Sequence, residues 1–125
     1  MQTSYGDRDF QLWEYRVSLG SLLIRSPKAP GVLTNIDLVC FGVEYLAVPR
    51  HIKGLDLVEP SSEEISQLSE LLGKPIEASR VRLILSGGHR FPIVAVSFRM
   101  SENEDDIFAS PFDWARGGTR QGQNG

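Results

Sequence analysis

Residues 80–100, RVRLILSGGHRFPIVAVSFRM, hold two apolar runs on either side of Gly87-Gly88-His89-Arg90. The stretch reads as a β-hairpin, because glycine supplies the positive φ that tight hairpin turns need. Folding Ser86 against Phe91 sets Leu85 opposite Pro92, Ile84 opposite Ile93 and Val81 opposite Val96. Side chains alternate across a strand. One face then carries Val81, Leu83, Leu85, Val94, Val96, Phe98 and Met100 and is expected to be core. The reverse face carries Arg80, Arg82 and Arg99 at one end, and Ile84, Ile93 and Phe91 at the other. A slip of one residue would mix arginines into the apolar face, so the pattern fixes the register.

Upstream of the hairpin, Ser61 and Glu64 have the spacing of a capping box. Ile65, Leu68, Leu71 and Leu72 follow as a narrow apolar stripe, and Gly73 stops it. This predicts a helix over residues 62–72 with its back in water. Residues 34–48 alternate around a break at Gly42, with apolar side chains on both faces, as a central strand would have. Residues 49–54 read as a connection and 55–58 as a short strand. Residues 10–18, FQLWEYRVS, fit either period, and their aromatic and β-branched content favours strand. Residues 21–25 give another strand.

Strand-like runs outnumber the one helix. The expected fold is α+β: a mostly antiparallel sheet of about five or six strands, with one amphipathic helix packed on one face. Residues 9–114 are expected to form one domain, after a flexible stretch over 1–8. The acidic residues 101–106 read as a loop lying near the arginine row. Residues 107–114 are apolar enough to dock, as a last edge segment. Residues 115–125 hold four of the twelve glycines and no large apolar residue, and are expected to be disordered.

The 125 residues carry a net charge of −3, which argues against a protein built to coat nucleic acid or an anionic membrane. The single cysteine excludes an internal disulfide and suits a reducing cytoplasm. No apolar run approaches membrane-spanning length. His51 and His89 each sit beside an arginine, and no zinc-type spacing exists, so no metal or cofactor is expected. Cys40, in mid-strand, reads as a buried small apolar residue rather than a nucleophile. No serine sits in a Gly-x-Ser-x-Gly elbow, and no catalytic residue is assigned.

What remains is surface. The expected function is a non-enzymatic module that binds another protein or itself. Binding would use a strand edge or the reverse face of the hairpin, through Arg80, Arg82, Ile84, Phe91, Ile93 and Arg99, since arginines and aromatics favour interfaces. The alternative is a small-molecule groove between helix and sheet, using Tyr45, Arg50 and His51. A further alternative is weak stacking of single-stranded nucleic acid on the Arg80, Arg82 and Arg99 face.

Overall fold

The computed structural model describes residues 3–115. Its strands are β1 (Ser4–Arg16), β2 (Ser21–Ser26), β3 (Asn35–Phe41), β4 (Tyr45–Leu46), β5 (His51–Val58), β6 (Val81–Ser86), β7 (His89–Val94) and β8 (Ser97–Asn103). They form one antiparallel sheet in the order β4-β7-β6-β5-β1-β2-β3-β8. The α-helices are α1 (Ser62–Leu72) and α2 (Pro111–Ala115). The sheet is thus mostly antiparallel as expected, but with eight strands and a second, short helix.

The two edges of that order are not free. β4 continues β3, β8 continues β7, and the two continuous segments pair with each other. Asn35–Phe41 face Ser97–Asn103, and Tyr45–Leu46 face Ile93–Val94. Backbone bonds from Val96 N to Phe41 O (2.9 Å) and from Glu44 N to Val94 O (2.8 Å) carry the ladder across the gap. The sheet therefore closes on itself as a barrel, which leaves no long unpaired edge among the described residues. Three residues lie between β3 and β4 and two between β7 and β8, so the seam contains a bulge. Gly42 absorbs it at φ +64°, where a Cβ would stand 2.5 Å from Val96 Cγ2.

Phe10, Leu22, Ile24, Ile36, Leu38, Cys40, Ile52, Ile84, Ile93 and Met100 fill the interior, every one of them buried. Closure explains why β2 and β3 are apolar on both faces. One face lines the barrel, and the other lies under an outer layer.

The hairpin differs from its predicted register by two residues. Gly87 and Gly88 both have positive φ (58° and 80°), so the turn closes on them. Ser86 pairs with His89, Ile84 with Phe91, Leu83 with Pro92 and Val81 with Val94. A shift of two keeps every side chain on its predicted face. Alternation then fails at the seam. Val96 is exposed, while Phe98 and Met100 pack on the interior cluster.

Helix α1 lies on the outside of β6 and β7, where Leu68 joins Val81, Leu83 and Val94. Its capping box forms as the spacing predicts: Ser61 Oγ accepts from Glu64 N, and Glu64 Oε1 accepts from Ser61 N (2.9 Å). Gly73 ends it in the left-handed conformation.

Residues 10–16 are strand, and 17–19 form a single 3₁₀ turn. β1 begins at Ser4 and buries Tyr5; Ser4 and Tyr5 pair with Asp56 and Leu55 of β5, and the register is interrupted between Tyr5 and Asp9. β5 likewise starts at His51, inside the predicted connection. The acidic stretch is partly strand and lies at the Asn35 end of β3, away from the arginines at the Phe41 end. Of the predicted tail, residues 116–125 lie outside the described residues. Among the described residues, no helix is long and apolar enough to cross a membrane.

Candidate interaction surfaces

The six residues predicted to share an open hairpin face are divided by the barrel. Ile84 and Ile93 are fully buried in the interior, because the face taken as outer is the inner wall. Phe91 packs partly against that interior and stacks on His89, 5.9 Å between ring centroids. Arg82 lies across the Phe98 ring at 5.5 Å and donates to Val81 O (2.7 Å). Arg80 donates from Nε to Ala95 O (3.1 Å), and Arg99 is exposed. Arg80 and Arg82 thus lie beside the β7–β8 junction, while the two isoleucines are inaccessible.

A groove runs between α1 and the sheet. Tyr45, Gln67, Leu68, Leu71, Leu83 and Pro92 line a volume of about 250 Å³. At its rim Arg90 holds Glu64 through two hydrogen bonds, Nε to Oε2 (2.7 Å) and Nη2 to Oε1 (2.9 Å). That guanidinium pulls the Glu64 carboxyl down to about 2, with help from the Ser61 donors. Arg50 and His51 do not line the groove. Both are exposed, and they face β1, with Arg50 O accepting from Leu12 N and His51 opposite Gln11.

One barrel end carries apolar side chains in the open. Val17 is 82% exposed, Leu19 58%, Val96 60% and Tyr15 46%. The 3₁₀ turn bearing Val17 and Leu19 is held down at Gly20, whose carbonyl accepts from Val43 N (2.9 Å). Gly20 is in the left-handed region, and a Cβ there would stand 2.9 Å from Val43 N. Beside the turn, Leu12, Trp13, Tyr15, Leu22 and Leu46, with Glu14, line a mainly apolar hollow of about 360 Å³. Apolar contacts made by residues this exposed need a partner surface to become buried. The pattern missed these residues, since an exposed valine and a buried one look alike in sequence.

The outer wall of β1, β2 and β3 is covered by residues 104–113, here called the strap, rather than extended by a further edge strand. Its centre is Arg25, fully buried with Asp37. The guanidinium meets the carboxylate bidentately, Nε to Oδ1 (2.7 Å) and Nη2 to Oδ2 (2.9 Å). Its Nη1 donates outward to two strap carbonyls, Ile107 O (2.7 Å) and Ala109 O (3.1 Å). Trp13 lies 5.7 Å from the guanidinium carbon, and Asn103 donates to Asp37 Oδ2. A buried ion pair is tolerable only with such complete partnering. Further along, Phe112 is buried against Leu23, Val39, Trp13 and Phe41. Arg16 lies over the Phe112 ring and pairs with Asp113 at 3.0 Å. The sequence did carry a signal here. A lone arginine in SLLIRS and a lone aspartate in NIDLVCF are charges inside apolar strands, which is where paired burial is found.

Burial pushes the Cys40 thiol up to about 12, so little of it is thiolate at neutral pH. Among the described residues, no three His, Cys, Asp or Glu side chains group so as to hold a metal ion. No protein-family model matches the chain, and no curated protein or solved structure compared with it matches either.

Proposed function

We propose that the chain is a non-enzymatic protein-interaction module that self-associates through the barrel end bearing Tyr15, Val17, Leu19 and Val96. The observation that carries this reading is the pairing of knobs with a hollow on one surface. Val17 and Leu19 project from a turn anchored at Gly20, beside the hollow lined by Leu12, Tyr15, Leu22 and Leu46. Two copies related by a two-fold axis would each place knobs in the other's hollow, the self-complementarity that an isologous interface requires. Barrel closure argues against the other route, pairing across a strand edge. The lone cysteine, free and buried, suits a reducing cytoplasm as the setting.

Light scattering over a concentration series tests the proposal. The expected result is twice the 13.9 kDa chain mass, reverting to the single mass in the Val17→Asp/Leu19→Asp double variant with an unchanged circular dichroism spectrum. A wild-type chain that stays monomeric up to about 1 mM, where even a 4 kcal/mol association would show, overturns it.

A further inference from the structure

The strap is bound as a peptide ligand is bound. Residues 104–110 join no strand of the barrel. Their main chain is held instead by side chains reaching out from it. Lys28 Nζ donates to Glu104 O (2.8 Å), Asn35 Nδ2 to Asp105 O (2.7 Å), and Arg25 to Ile107 O and Ala109 O. The only strap side chain among the fully buried is Phe112, and it sits in a pocket of its own outside the barrel interior. That interior contains no strap residue, and the ladder is complete without the strap. The barrel would therefore keep its core and its hydrogen-bonded sheet if the strap left. What it would uncover is a preformed recognition surface: a guanidinium fixed by Asp37 with two donors aimed outward, an aromatic pocket, and Arg16 beside it.

We propose that this wall of β1, β2 and β3 is a docking site for an extended segment of a partner protein, and that the strap occupies it in cis as a pseudo-ligand. The strap itself defines the chemistry of the partner. Two carbonyls two residues apart engage Arg25. An aromatic side chain three residues further on fills the Phe112 pocket, and an acid directly after it pairs with Arg16. A second copy of the chain offers only the same contacts at far lower local concentration than the tethered strap, whose effective concentration is on the order of millimolar. A partner segment that binds this chemistry more tightly is what would displace it.

The test uses a fluorescein-labelled peptide of residues 104–113 and the full chain, wild type and Phe112→Ala. Anisotropy should show the peptide binding the variant roughly tenfold or more tighter than wild type, because the wild-type strap competes. The same peptide with alanine at its Phe112 position should lose binding to the variant. Equal affinity for both proteins, or no binding to a folded variant, overturns the proposal. If Phe112→Ala fails to fold, hydrogen exchange on the wild type decides. The amides of Phe108, Ala109, Phe112 and Asp113 bond only within the strap or to its own side chains. They should exchange far faster than those of β2 and β3, and protection equal to the barrel's overturns a separable strap. A wild-type dimer that Phe112→Ala dissociates while Val17→Asp/Leu19→Asp leaves it intact would overturn the partner segment in favour of strap exchange between copies.

Discussion

Helix α1 and the strap both cover an outer wall of the barrel, and they do it by different physics. Leu68, with Leu72 and Ile76 beside it, packs on Val81, Leu83 and Val94, so α1 is held by apolar area. The strap is held by directed bonds to a buried guanidinium and by one aromatic ring. Apolar packing is non-directional and roughly proportional to area, so it tolerates small adjustments. A buried ion pair is nearly all or nothing, since losing one partner strands the other.

The sharpest way to break the contrast is Asp37→Ala. It leaves Arg25 buried without its carboxylate and should cost about 3–5 kcal/mol in urea unfolding. Replacing both partners with apolar residues, Arg25→Met with Asp37→Leu, should cost less than Asp37→Ala alone. If it costs more, the pair matters as a recognition element beyond its charge balance. On the other wall, Leu68→Ala should cost about 3 kcal/mol, in the range of buried leucine truncations, and should leave strap amide exchange unchanged. A change in the strap would show that the two walls are coupled. Ser61→Ala removes the helix cap and should cost about 1 kcal/mol, read as a small shift in the same unfolding curve.

The smallest effect concerns pH. The Glu64 carboxyl lies at about 2 in the folded chain against 4.5 in its ordinary state. A lowered folded value means that its contribution is complete above about 4.5 and fades as pH falls towards 2. Arg90→Ala should move the carboxyl midpoint, followed by NMR, back up towards 4.5. A midpoint that stays put would deny the guanidinium its role in tying the hairpin tip to the helix start.

Helix α1 was legible because its signals are local. Ser61, Glu64, the leucine stripe and Gly73 all lie within thirteen residues. The alternation in residues 80–94 was legible too, and each face stayed intact although the pairing register differs by two residues from the predicted one. Closure was not legible. Nothing in residues 35–46 announces that they pair with residues 93–103, so Ile84 and Ile93 read as an outer face when they are the inner wall. The strap site was dispersed further still. Its parts are Arg16, Arg25, Asp37 and Phe112, which only the folded barrel brings together. Tyr45 lines the groove beside α1, whereas Arg50 and His51 belong to the β1 side.

The seam between the β3–β4 and β7–β8 segments also has a kinetic meaning. It joins residues 35–46 to 93–103 across the whole of β5, α1 and β6, so its partners are among the most distant in sequence that the barrel pairs. Loop-closure entropy opposes such contacts until the intervening elements have ordered, and chains dominated by non-local pairing fold slowly. Until that seam zips, β3 and β8 present unpaired edges, and that of β3 is apolar. The window before closure is therefore when this chain is most exposed to pairing with another.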